Sequence, residues 1–429
     1  MKTVLIAGGK GTRISSVSGD IPKPMLKIGN KPVLEHQIEC LRKQGFTDII
    51  ITIGHHGNVI SEYFGDGKKI SPVTGMPFGV SIEYFVEDEP LGNAGALFKL
   101  EKKLTEDFLM INADLMFDVD LNRFVRYHRS KKATATILTH PNNHPYDSSI
   151  VISDNNNIVT NWLLKEDEKP QYYKNRVNSG IHILSPEIFS MEISTVKVDL
   201  DRQILKCLAD EKKLYCYDSS EYVKDMGTPD RFSFVSRDYA DGLISKKSLI
   251  NKQKAIFIDR DGTINKYVGF LTDIEDFELT DNCAEAIRKI NESGYLAIVV
   301  TNQPVIARGE VTESELFQIH NKMETLLGYE CAYLDGIYYC PHHPHKGFEN
   351  EIVELKIDCD CRKPKPGMIF AAVEAFNIDL ENSWVIGDSE NDIKAGIAAG
   401  CKTVLIGDMS CGQDITADTL FSAVEKILI

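Results

Sequence analysis

Nowhere in the 429 residues does an apolar run approach the roughly 20 residues that a bilayer-spanning helix needs, so no such helix is expected. The opening MKTVLIAGGKGTR does not read as a secretory signal, because its apolar run is short and ends in glycines. Positive charge is scarce as well. Lys and Arg number 48 against 63 Asp and Glu, a net charge of −15. That balance disfavours nucleic acid as a partner, since phosphate backbones select basic surfaces. Small anionic substrates are still allowed, because a local basic loop can oppose the global sign. Tandem repeats and low-complexity segments are missing, and so is any sign of a disulfide framework. Of ten cysteines, four fall into one metal-type pattern. The other six, among them Cys40, Cys207 and Cys401, stand singly in apolar or amphipathic stretches. This usage fits a reducing compartment, and a cytoplasmic location is expected.

What is present is a soluble-type composition, 43% hydrophobic and 26% charged, on a chain too long for one ordinary core. Strand-like and helix-like segments alternate, which predicts α/β architecture with mainly parallel sheets. Asp48–Gly54, Ser81–Glu87 and Asp107–Asp114 read as strands. Lys31–Gln44, Asp199–Asp210 and Pro229–Tyr239 read as helices. The polar, basic stretch DGLISKKSLINKQK (241–254) precedes a fresh strand at Ala255–Ile258, where the pattern restarts. The expected division is a first domain over 1–243, a linker over 244–253 and a second domain over 254–429. Thr312 and Glu315 stand at capping-box spacing ahead of Leu316, Ile319 and Met323, which predicts a helix start.

The most specific pattern is Cys340-x-His342, a loop, then Cys359-x-Cys361. Three thiolates and an imidazole complete a tetrahedral set for structural Zn²⁺ with no position left open. His343 and His345 flank that set, but His342 has the better spacing. The pattern lies between two carboxylate signatures, DRDGTIN (259–265) and GDSEND (387–392). Asp259 and Asp261 follow a buried-type strand, so one carboxylate can attack phosphorus while the other handles the leaving-group proton. Thr301 and Asn302 close the next strand with a hydroxyl and an amide. Arg362 and Lys363 add positive charge, and Asp388 closes a further strand where Mg²⁺ could be held.

These stretches, with TNQPVIARG, CPHHP and CDCRKPKPGM, make residues 254–429 resemble the haloacid dehalogenase superfamily. The branch they resemble contains heptose-bisphosphate and histidinol-phosphate phosphatases. The resemblance implies a Rossmann-like phosphatase domain with a zinc-binding loop. It implies Asp259 as nucleophile, Asp261 as general acid/base, Thr301 and Lys363 on the phosphoryl group, and Arg362 toward substrate, while the Asn302 amide is read from its place beside Thr301 as a further substrate-binding group. Mg²⁺ would lie at Asp259, Asp388 and the backbone of Asp261. Pro304 and Val305 depart from the Ser-Gly usual there.

The first half carries LIAGGKGTR, IPKPML, EPLGNAGAL, NADLMFD, VNSGIHIL and VKDMGTPDRF. Its glycine-rich loop lets backbone N–H groups approach phosphates, though it has neither Walker nor Rossmann spacing. Together the stretches resemble sugar-1-phosphate nucleotidyltransferases, nearest to mannose- and heptose-1-phosphate guanylyltransferases. This implies a Rossmann-like domain with a mixed sheet. Gly8, Gly9, Gly11, Thr12 and Arg13 would wrap the nucleotide, with Lys23 at its phosphates and Gly92 near the base or ribose. Arg13 and Lys23 would serve the catalytic step. Asp114 and Asp225 would hold Mg²⁺, and Glu168, Lys169, Asn178 and Gly180 would face the sugar. The expected partners are sugar phosphates and GTP, with neither nucleic acid nor membrane, and a homo-oligomer is compatible with the sequence. The expected function is bifunctional: removal of the 7-phosphate of heptose 1,7-bisphosphate, then transfer of GMP to the 1-phosphate. The alternatives are a mannose-1-phosphate guanylyltransferase joined to a histidinol-phosphate-type phosphatase, and a non-catalytic sugar-nucleotide sensor.

Overall fold

The computed structural model describes residues 1–9, 19, 21–54, 56–193 and 195–429. The chain forms two compact units. One comprises residues 1–140, 151–162 and 178–248, the other 141–150, 163–177 and 249–429. The first unit is built on a seven-stranded sheet. Its spatial order is Leu214–Asp218, Ala135–His140, Val177–Leu184, Phe108–Asn112, Thr3–Ile6, Asp48–Ile53 and Ser81–Val86. Thr3–Ile6 pairs in parallel with both neighbours, whereas Val177–Leu184 runs antiparallel to Phe108–Asn112. The sheet is therefore mixed. Its central strands are unbroken apolar runs because both faces are covered. Val4, Leu5, Leu109 and Ile111 have no exposed surface.

The second unit holds a six-stranded, wholly parallel sheet. The order is Gly336–Cys340, Leu296–Asn302, Ala255–Ile258, Trp384–Gly387, Lys402–Ile406 and Ile415–Ala417. Residues Ala255 to Ile258 are fully buried, as expected of a central strand. The helix Glu313–Tyr329 starts with the predicted capping box, in which Thr312 and Glu315 satisfy each other's backbone N–H groups. Pro304 opens the short helix Pro304–Ala307, where its missing N–H removes no helical bond.

Two segments differ from expectation. The helix predicted over 199–210 is a π-turn at Leu200–Leu205 continued by Lys206–Asp210. The stretch expected as linker carries most of a short helix, Leu243–Lys246. No helix among the described residues is long and apolar enough to cross a membrane.

Candidate active sites

In an open parallel sheet, function collects at the carboxyl ends of the strands. Four neighbouring strands of the second unit end there in chemically active residues. Asp259 follows Ala255–Ile258, Asp388 follows Trp384–Gly387, Thr301 and Asn302 end Leu296–Asn302, and Cys340 ends Gly336–Cys340. Lys363 arrives from the loop after the last Cys/His residues. Its Nζ donates to Asp259 Oδ1 at 2.6 Å, Asp392 Oδ1 at 2.5 Å and the Val300 carbonyl at 2.7 Å. Burial alone would depress this ammonium, but Asp259 and Asp392 together hold it above its ordinary value. Burial, then the neighbouring Asp392, pushes Asp259 up to about 7. Burial and Asp392 likewise raise Asp388, to about 6. Oxygens of Asp259, Asp388 and Asp392 lie within 4.8 Å of one another. Three carboxylates facing one lysine are short of positive charge, and this donor set suits a hard divalent cation. Gly262, at φ +86°, lets the turn after Asp261 approach so closely that a Cβ there would collide with the Asp388 carboxylate.

Asp392 was missed by sequence reasoning. Its signal was present in GDSEND, where it falls one helical turn after Asp388. Its other oxygen accepts from Ser389 N and Oγ at the start of the helix Glu390–Ala399, so one carboxylate caps a helix and pairs with Lys363. Asn302 differs from its expected role. Its amide clasps the Lys363 backbone in both directions, at 3.0 and 3.1 Å, and so places the lysine. Arg362 donates to the His342 carbonyl, and Thr301 Oγ1 accepts from Gln303. Asp261 receives the guanidinium of fully buried Arg260 on both oxygens, and donors from Asn265 and Gln303.

Cys340, His342, Cys359 and Cys361 converge. Their Sγ···Sγ separations are 3.2, 3.3 and 3.5 Å, and His342 Nδ1 is 3.2 Å from Cys361 Sγ and 3.6 Å from Cys340 Sγ. These distances are far beyond the roughly 2.05 Å of a disulfide. They are near the roughly 3.8 Å edge of a tetrahedron with ~2.3 Å metal–sulfur bonds. The four residues fit one metal ion. His343 bonds instead to the His345 carbonyl.

In the first unit, Gly8 and Gly9 lie just past the strand Thr3–Ile6, while Gly11, Thr12 and Arg13 lie outside the described residues. Lys23 Nζ is 3.5 Å from Asp114 Oδ2. Asp225 is a backbone neighbour, since Met226 N donates to the Asp114 carbonyl at 3.1 Å. The Asp225 carboxylate is gripped by Arg231 at 2.6 and 2.8 Å, a partner unforeseen although it stands in VKDMGTPDRF. Gly92 takes φ +81° and packs on the Val198 backbone. Gly180, at φ +83°, comes so close to Asn112 that a Cβ would lie 2.7 Å from its Nδ2. Asn178 Oδ1 accepts from Gly180 N and lies 3.0 Å from His182 Nε2, and its amide reaches Asp201 at 3.4 Å. Burial raises Asp201 to about 6 and lowers His182 to about 3, so His182 is neutral. In the second unit, Glu168 is exposed, and Lys169 donates to the carbonyls of Pro145 and Tyr146.

Residues 2–242 match the nucleotidyl transferase family, and residues 360–418 match the HAD-hydrolase-like family. The D-glycero-beta-D-manno-heptose-1,7-bisphosphate 7-phosphatase of Haemophilus influenzae is 42% identical over 166 residues, covering 38% of this chain and 86% of that protein. The mannose-1-phosphate guanyltransferase of Pichia angusta is 31% identical over 252 residues, covering 58% of this chain and 66% of that protein. The crystal structure of HddC from Yersinia pseudotuberculosis aligns with 56% of this chain and 99% of its own at 26% identity and a TM-score of 0.46.

Proposed function

We propose, from the premise that the chain belongs to the nucleotidyl transferase family in its first half and to the heptose-1,7-bisphosphate 7-phosphatase family in its second, that it is a bifunctional enzyme of GDP-heptose synthesis. The phosphatase half removes the 7-phosphate of D-glycero-D-manno-heptose 1,7-bisphosphate. The transferase half joins the resulting 1-phosphate to GMP from GTP and releases pyrophosphate. The observation that carries the reading is the Asp259–Lys363–Asp392 constellation, a nucleophile poised beside a fixed cation at the strand ends of the second unit's sheet. The domain division follows the same line, with residues 1–243 as transferase, 244–253 as linker and 254–429 as phosphatase.

In the phosphatase step an Asp259 oxygen forms a bond to phosphorus as the bond to the sugar oxygen breaks. Asp261 gives that oxygen its proton, and later takes one from the water that cleaves the aspartyl phosphate. Lys363 stays protonated and offsets the charge of the phosphoryl group. A Mg²⁺ ion at Asp259, Asp388 and Asp392 would supply further neutralisation when bound. In the transferase step an oxygen of the sugar phosphate attacks the α-phosphorus in line. Lys23 neutralises phosphate charge, and Asp114 and Asp225 would hold a second Mg²⁺. Product analysis by mass tests the whole scheme, using heptose 1,7-bisphosphate, histidinol phosphate and mannose 1-phosphate with GTP and Mg²⁺. Turnover of only the last two would favour the alternative that the guanyltransferase relative suggests.

The order of steps follows from charge. His182 is buried and neutral and Arg176 is paired with Glu324, so neither answers a second phosphate on the sugar; Lys174, just upstream, and Lys169 are the cations that would have to do so if the bisphosphate is accepted. Burying an unpaired phosphate is costly. The Asp259→Asn protein should therefore make GDP-sugar faster from the 1-phosphate than from the bisphosphate. An equal rate from both would overturn that order.

The Cys/His cluster is proposed as a structural zinc site. Metal analysis should find about one zinc per chain. Cys359→Ser should loosen the 340–361 loop and weaken phosphate release while sparing nucleotidyl transfer. Full phosphatase activity in a zinc-free protein would refute the assignment.

A further inference from the structure

Most of what grips the Asp261 carboxylate travels with it. Arg260 Nη2 donates to both of its oxygens at 2.9 Å, and Arg260 Nε and Asn265 Nδ2 each reach Oδ1 at 3.2 Å. Arg260 and Asn265 belong to the same DRDGTIN turn, so these bonds set the shape of the turn. Among the described residues, one donor to Asp261 comes from elsewhere. Gln303, directly after the strand Leu296–Asn302, donates through Nε2 to Asp261 Oδ2 at 2.8 Å and to Thr301 Oγ1 at 2.8 Å. Its Oε1 accepts from Arg260 Nη2 at 3.0 Å.

The carboxamide can lie only one way round. A guanidinium has donors and no acceptor, so Arg260 must face the amide oxygen, and the NH2 group falls to Asp261 and Thr301. Gln303 is 2% exposed and Arg260 has no exposed surface, whereas the Asp261 side chain is 19% exposed. The carboxylate is open to a substrate while its clamp is shielded from water. The backbone of Gln303 is fixed as well. Its N–H donates to the Cys340 carbonyl of the neighbouring strand at 2.8 Å. Pro304 disfavours the helical conformation at the residue before it, and Gln303 takes φ −119° and ψ 68°.

A general acid must meet the leaving oxygen while the nucleophile meets phosphorus, and a displacement of about 1 Å can cost ~10²-fold in rate. We infer that Gln303 is a positioning residue for the phosphatase step. It fixes Asp261 to the strand end that carries Thr301. As the bond from an Asp259 oxygen to phosphorus forms and the bond from phosphorus to the sugar oxygen breaks, the Asp261 proton passes to that sugar oxygen. Gln303 itself gives up no proton. The inference rests on the function proposed above.

The test uses the full chain with Gln303→Met, and separately with Gln303→Glu, which keeps an oxygen for Arg260 but puts an acceptor where Asp261 had its donor. Two substrates are compared by kcat/KM, which reports the steps up to departure of the leaving group. The sugar oxygen of heptose 1,7-bisphosphate needs a proton to leave, whereas p-nitrophenyl phosphate releases a stable anion without one. In both variants kcat/KM for the bisphosphate should fall at least about thirtyfold, and that for p-nitrophenyl phosphate by less than about threefold. Asp261→Asn should show the same split, and adding Gln303→Met to it should widen the split by less than about twofold, because the acid is already gone. Nucleotidyl transfer by the same preparations should be unchanged, which reports intact folding. An equal loss on both phosphates would overturn the inference and mark a purely structural role. So would an unchanged kcat/KM for the bisphosphate. A parent chain that releases no phosphate from the bisphosphate would instead refute the proposed function, so the two failures are distinct.

Discussion

Asp259→Asn should stop phosphate release, by on the order of 10³-fold or more, while nucleotidyl transfer to a supplied sugar 1-phosphate continues. Removal of a covalent nucleophile has an effect of at least that order, because the alternative route loses the step that splits the barrier. The amide still fills the volume beside Lys363 and can accept its hydrogen bond at the position now 2.6 Å away, so folding should survive. The reverse variant, Asp225→Asn, should weaken transfer and leave phosphate release intact. The assay follows inorganic phosphate and GDP-sugar from the same preparations. If either substitution silences both activities in a folded protein, the two-site scheme is wrong.

Lys363→Met should damage stability as well as phosphate release. Lys363 has almost no exposed surface, and it bridges Asp259, Asp392 and the Val300 carbonyl. Methionine fits the channel but leaves two buried carboxylates facing each other and a carbonyl without its donor. Removing one member of a buried ionic cluster costs about 3–5 kcal/mol. The loss should depend on pH. Asp259 is already raised to about 7 by burial and Asp392, and removing the ammonium raises it further. A carboxyl with a raised folded-state value binds its proton more tightly folded than unfolded, so stability falls as pH rises from about 4 toward 7. The deficit should therefore be small near pH 4 and large at pH 7. Adding Asp392→Asn should recover part of it by removing the like charge. Thermal unfolding at several pH values reads this directly. A deficit that does not vary with pH would show that lost packing, rather than charge, dominates.

The sequence alone determined which candidate residues stand at the carboxyl ends of the parallel strands. Asp259, Thr301 and Asp388 each end or follow a short apolar run, and in a parallel sheet all such ends share one edge. It also determined the Cys/His cluster, because ligand pairs separated by one residue carry their geometry locally. The Thr312 capping box was legible for the same reason: its two bonds span three residues. Only the tertiary structure decided which charge answers which. Lys363 meets Asp259 across 104 residues of chain, and Arg176 meets Glu324 across 148. Neither pairing leaves a periodic or spacing signal, because each depends on how separate elements pack. The same holds for Asn302, which reads as a substrate amide beside Thr301 but in the folded chain is spent on the Lys363 backbone. It holds too for segments 141–150 and 163–177, whose sequence belongs with the transferase while their buried hydrogen bonds go to the helix Glu313–Tyr329. Backbone groups must find partners when water is excluded, and for Tyr173 and Asn175 the available partners were far along the chain.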